Sequence, residues 1–285
     1  MKRKIALGCV LVVGCLVAFL GLVDKNVVQM KNGAYYDSDE CLKDTLGEIQ
    51  QSLAKKYSST ASSKYIGDAT VEETYDSFGV IGKNVSQGNL NQLWEMSNPG
   101  KTITDTCGLV ANTMMIMKYQ EQFKIDKDEN VYDRSYAIFE VQAKYAWENK
   151  IFTKEQNGGT STEEQVTLAN VYLSQKNSKY DADSTTILLW NKVKKQLDGK
   201  IEPIIVDCTG KKINHAMMAT DCYIQTVKYK EKGIFGITVK KSKDYKIIRV
   251  CDGWEGTVNT NSKTWEETTN RYLLFDCVYD VVFLK

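Results

Sequence analysis

Cys107, His215 and Asp252 follow one another in the order nucleophile, base and orienting group. Thr104-Asp105-Thr106-Cys107-Gly108 leads into a run with Val110, Met114 and Met117 at helical spacing, so Cys107 is expected at a helix N-terminus. Free backbone N–H groups and the helix dipole favour a thiolate there. Asn214-His215-Ala216 opens a strand, and a base projecting from a strand end is rigidly placed to take the thiol proton. Val250-Cys251-Asp252-Gly253-Trp254 ends the next strand, where Asp252 could hold the imidazole in the useful tautomer. The plainer readings are a buried structural cysteine, a satisfied histidine and an ordinary Asp-Gly turn.

His215 is the only histidine among 285 residues, so any imidazole chemistry is its work. One imidazole excludes a three-histidine zinc site, an H-E-x-x-H helix and any two-histidine metal site. No metal or organic cofactor is expected. A formal net charge of +1, from 37 Lys plus Arg against 36 Asp plus Glu, removes the usual electrostatic argument for a nucleic-acid partner. Asp126-x-Asp128-x-Asn130 suggests a calcium loop, but Val131 and Ala137 stand where glycine and the bidentate glutamate belong. It reads instead as a polar connecting loop, and the Lys-rich stretch 228–246 reads as a solvated hairpin.

Met1-Lys2-Arg3-Lys4 precedes 19 uncharged residues, 5–23, long enough to cross a bilayer as one helix. Residues 1–23 are therefore expected to be a signal peptide or membrane anchor, with the rest of the chain extracellular or at the cell surface. Six of the 8 cysteines lie beyond that run, and export would let some of them pair.

A helical pattern from about Ser38 to Lys56 and a Ser-rich linker at 58–63 suggest that residues 24–95 form a stalk or pro-region with one helix. Residues 64–106 read as loop-like. Helices are expected at 107–123, 136–148, from Thr162 behind the Ser161-x-x-Glu164 capping box, and from Ser184 to Gly199. From Ile201 the period becomes that of strands. Helices followed by strands indicate an α+β domain over residues 96–285.

The segments T-D-T-C-G-L-V-A-N-T-M-M-I-M-K-Y (104–119), N-H-A-M-M-A-T-D-C-Y (214–223) and D-G-W (252–254) resemble the nucleophile helix, histidine strand and N-S-W turn of papain-like cysteine peptidases. The similarity is greatest to the bacterial branch that includes the bacteriocin-processing-like and streptopain-like enzymes, and it covers roughly residues 100–285. It implies a helical part carrying the nucleophile packed on a C-terminal antiparallel sheet or half-barrel. It also implies a Cys107-His215-Asp252 triad shielded by Trp254. Lys101 stands where the family places its oxyanion-hole glutamine, Leu109 follows Gly108, and Asp221 replaces the usual glycine after the histidine strand. Gln92 is the nearest upstream glutamine and is the expected oxyanion-hole side chain, beside the backbone N–H of Cys107.

The expected activity is peptide-bond hydrolysis through a thioester, with a peptide or protein as substrate and a membrane as partner through residues 5–23. The alternatives are a cell-wall amidase or endopeptidase, a transglutaminase-like acyltransferase, and a non-catalytic papain-like binding domain.

Overall fold

A computed structural model of the protein describes residues 41–74, 85–123, 131–152, 159–187, 189–198, 204–209, 214–254, 258–259, 264–265 and 271–285. All lie in one compact unit, Tyr35–Lys285. The 5–23 run lies outside the described residues, as does the Asp126–Asn130 segment. Among the described residues no helix is long and apolar enough to cross a membrane.

Local chemistry explains where each helix starts. Thr45 accepts a hydrogen bond from Glu48 N at 3.2 Å, so α1 (Leu46–Lys56) begins there. Ser86 caps α2 (Gln87–Ser97) in the same way, with Leu90 and Trp94 buried one turn apart. Then come α3 (Cys107–Phe123), α4 (Val131–Glu148) and α5 (Thr162–Gln175). The capping box of α5 is complete: Glu164 N donates to Ser161 Oγ at 3.3 Å, and Ser161 N donates to Glu164 Oε2 at 2.7 Å. The last helix, α6, spans Leu189–Asp198.

Two local expectations change. Ser184 does not open a helix, because Ala182–Thr185 (β3) pairs with the C-terminal strand Val278–Leu284 (β10) and its ladder bonds compete with helix formation. The supposed loop region 64–106 contains α2 and a strand, Thr70–Glu73 (β2).

The remaining strands are β1 (Leu42–Lys43), β4 (Ile204–Thr209), β5 (Asn214–Lys232), β6 (Thr238–Cys251), β7 (Val258–Asn259), β8 (Thr264–Trp265) and β9 (Arg271–Leu274). Eight of the ten form one antiparallel sheet in the order β1-β9-β6-β5-β4-β10-β3, with β2 added along the outer part of β5. The fold is α+β, with six helices among the described residues.

Strand alternation divides the apolar side chains between two cores. Val206, Met217, Ala219, Val250 and Val281 face a core completed by α1 and α6. Ile205, Ala216, Met218, Cys251 and Val282 face a second core built by α2, α3, α4 and α5. The described part of the segment read as a stalk or pro-region joins both: Ile49 and Leu53 enter the first core, and Val85, Leu90 and Trp94 the second.

A disulfide between Cys41 and Cys277 closes 236 residues of chain. Restricting so long a loop in the unfolded state stabilises the fold, so Cys41→Ser should cost about 2–5 kcal/mol, read as a lower urea midpoint with a steeper slope as the unfolded chain expands.

Candidate functional site

The N-terminus of α3 is set by packing. Thr106 is fully buried and donates to Asn91 Oδ1 at 2.7 Å, while its carbonyl accepts from Val110 N at 3.0 Å. Cys107 is therefore the first helical residue, as its sequence context suggests. Gly108 has no room for a side chain: an added Cβ would stand 2.1 Å from Thr160 Oγ1 and 2.9 Å from Gln165 Cγ. The residue after Cys107 must be glycine for α5 to close against α3.

The Cys107 thiol is mostly enclosed. Burial pushes its pKa up, and the Asp207 and Asp105 carboxylates add to that, while N–H groups of Ala216 and Gly108 donate towards the sulfur and oppose it. Ala216 directly follows His215. The strand start and the helix start, 108 residues apart, thus meet at this sulfur (215 − 107 = 108).

His215 is buried, and its Nε2 lies 2.6 Å from the main-chain carbonyl of Asp252. A carbonyl can only accept, so Nε2 carries the proton and the lone pair of the neutral ring is on Nδ1. Burial lowers the imidazole pKa to about 4, against the opposing pull of that hydrogen bond. The thiol and imidazole share no hydrogen bond among the described contacts. A raised thiol and a lowered imidazole leave both groups neutral at rest.

The hydrogen bond from His215 to Asp252 runs to the backbone carbonyl, while the Asp252 carboxylate acts on the ring through its charge, opposing the effect of burial. The buried carboxylate accepts from Trp254 N at 3.1 Å and faces Arg271 Nε at 3.3 Å. Trp254 stacks on the imidazole with centroids 4.2 Å apart and planes 28° from parallel, while itself remaining 42% exposed. It lies over the face of the ring. Gly253, at φ 74°, docks this turn on α3: a Cβ there would lie 2.8 Å from Val110 Cγ1, one helical turn beyond Cys107. Its carbonyl accepts from Gln87 N at 2.8 Å, which ties the turn to the start of α2 as well.

Gln92 is exposed on α2 and is not brought to the nucleophile by any described contact. Its neighbour Asn91 instead accepts from the hydroxyl of Thr106, the residue before Cys107. The signal was in the spacing, since Asn91 adjoins the Leu90 and Trp94 face of the helix and Gln92 points away from it.

Asp207 is a second residue whose importance the apolar strand I-I-V-D-C conceals. It pairs with Ala216 in the β4–β5 register and with Asp280 across β10. Thr162 Oγ1 and Gln165 Nε2 donate to its carboxylate at 2.8 Å and 3.1 Å. Burial nevertheless raises its pKa to about 7. A carboxyl that holds its proton more tightly when folded supports stability fully below its ordinary value near 3.8, and that support is lost as pH rises through about 7. The loss is of order 4 kcal/mol. Asp207→Asn gives up one of these two acceptors at every pH, but the difference in melting temperature from the parent should be roughly 10 °C more favourable to the variant above about pH 8 than below about pH 4. Equal shifts at both pH values would show that Asp207 is not buried in this state.

Among the described residues, no group of three or more His, Cys, Asp or Glu side chains converges as a metal would require. No family model matches this chain, and no curated protein or solved structure shows significant similarity to it.

Proposed function

We propose that this chain is an exported, papain-like cysteine peptidase in which Cys107 is the nucleophile and His215 the base. The observation that carries the reading is the meeting of the α3 N-terminus with the start of β5, where Ala216 N–H donates to the Cys107 sulfur beside a histidine of fixed tautomer. Because both groups rest neutral, His215 Nδ1 takes the thiol proton as the sulfur attacks the scissile carbonyl. The proton then passes to the leaving amine, and water hydrolyses the thioester. Cys107 N–H at the helix start is one donor for the developing oxyanion, and the Asn91 carboxamide, tied to the preceding Thr106, is the side chain assigned to supply a second. The Cys41–Cys277 disulfide and the charged lead-in to residues 5–23 support export.

A second reading, a non-catalytic papain-like binding domain, is favoured by the raised thiol pKa and the missing thiol–imidazole hydrogen bond. Turnover of denatured protein and of muropeptides by the full chain separates the readings. Peptide cleavage that disappears in Cys107→Ala is the expected result. Cleavage of muropeptides alone would make the chain a cell-wall enzyme, and no turnover of either would leave the binding domain.

A further inference from the structure

Beyond Cys222 and Ile248, β5 and β6 continue as a paired ribbon to Lys232 and Thr238, accompanied on one side by β2 and by a single bridge from Tyr65 to Glu231. At its end a short turn, Ile234–Gly236, presents Ile234, Phe235 and Ile237 at 79%, 95% and 64% exposure. Phe235 has φ 63° and ψ 22°, a left-handed conformation in which a bulky side chain is strained. Glycines stand at 233 and 236, so the sequence already holds the residue type that such a turn takes without strain. The aromatic side chain at 235 therefore contributes neither to folding of the turn nor to the core.

The ribbon beneath this apolar tip is cationic. Lys228, Lys230 and Lys232 on β5 and Lys240, Lys241 and Lys243 on β6 are all exposed. The acids nearby are already engaged: Glu231 pairs with Lys64 and Lys241, and Glu72 with Lys228. Lys230 and Lys240 lie directly opposite each other across the ladder, an arrangement of like charges that destabilises an isolated hairpin. An anionic surface would relieve that repulsion while taking up the apolar tip.

We propose that this hairpin is a membrane-interface anchor. Ile234, Phe235 and Ile237 enter the boundary between headgroups and acyl chains, and Lys230, Lys232 and Lys240 bind anionic headgroups. A protein partner would be expected to meet a rim carrying both signs of charge. Here the exposed charged side chains nearest the tip, Lys230, Lys232 and Lys240, share one sign, and Glu231 between them is buried and paired. The uncharged run at residues 5–23 is an independent pointer to a membrane in the sequence. The anchor also sets orientation: Lys232 is 17 residues along β5 from His215 (232 − 215 = 17), roughly 55 Å of extended strand. The candidate catalytic end is thereby held away from the lipid. The inference does not depend on peptidase activity.

The test uses the full chain carrying Phe235→Trp, reconstituted in phosphatidylcholine vesicles with and without phosphatidylglycerol, all with brominated acyl chains. The substitution is at an exposed position and leaves both cores intact. The expected result is that the emission added by the new indole, taken as the difference from the unsubstituted chain, is blue-shifted and mostly quenched in the anionic vesicles only. Adding Lys230→Gln, Lys232→Gln and Lys240→Gln should abolish the quenching. Water-like emission in anionic vesicles would overturn the proposal. So would a blue shift without bromine quenching, the signature of docking on protein.

Discussion

His215→Ala should lower peptide turnover by roughly 10³-fold or more while the chain still folds, read as a cooperative urea transition, although loss of a buried, hydrogen-bonded ring lowers its midpoint. No second imidazole exists to take over the proton, and the cationic and acidic groups around the ring are occupied elsewhere: Arg271 faces Asp252, and the Asp252 carboxylate accepts from Trp254 N. In the parent, kcat/KM should rise through about pH 4, where the imidazole loses its proton and becomes able to accept one from the thiol. Below that pH the ring is already protonated and cannot serve. Because the hydrogen bond to His215 comes from the main-chain carbonyl of Asp252, Asp252→Asn should cost far less than loss of His215, while loss of the carboxylate charge, which raises the imidazole pKa against Arg271, should move the acid limb of the profile to lower pH. An Asp252→Asn variant as inactive as His215→Ala would mean that the carboxylate, not the carbonyl, orients the ring.

Asn91→Ala should reduce kcat by about 10²–10³-fold with little change in KM, whereas Gln92→Ala should leave both near the parent values. The difference follows from one residue of helical phase. Asn91 is held against the N-terminal neighbour of Cys107 by the Thr106 hydroxyl, and Gln92 is exposed on the other face of α2. Steady-state kinetics on the two variants decide it. Equal losses in both would point to damage to α2, not to a lost oxyanion donor, and Asn91→Gln offers a control that retains the amide while moving it.

The parts of this site that were legible in the sequence are those governed by local rules. A Thr-Asp-Thr-Cys-Gly lead-in before helically spaced apolar residues marks a helix start, and the structure begins α3 at Cys107. The Ser161-x-x-Glu164 box marks another, and it closes as the spacing requires. The change to strand periodicity near Ile201 corresponds to β4, β5, β6, β9 and β10.

What could not be read depends on contacts between distant segments. Whether Asp252 presents its carbonyl or its carboxylate to His215 is decided by Trp254 N and Arg271, which compete for the side chain. The demand for glycine at position 108 comes from Thr160 and Gln165, more than 50 residues away. Asp207 reads as a polar interruption of an apolar strand until α5 is seen to supply its hydrogen bonds. Ser184 and Thr185 have no helix-breaking neighbour, and only the β10 ladder makes them a strand.

The central claim is that Cys107 is a nucleophile activated by His215, and site-mapped thiol labelling tests it most directly. Cys208, Cys222 and Cys251 are outside the disulfide but buried in the cores, so an epoxide peptide probe should reach Cys107 in preference to them. Mass spectrometry of the labelled full chain should find the adduct on Cys107, formed much more slowly in His215→Ala although the thiol is intact. An adduct rate at Cys107 unchanged by His215→Ala, or no adduct on Cys107 in the folded chain, would contradict the account.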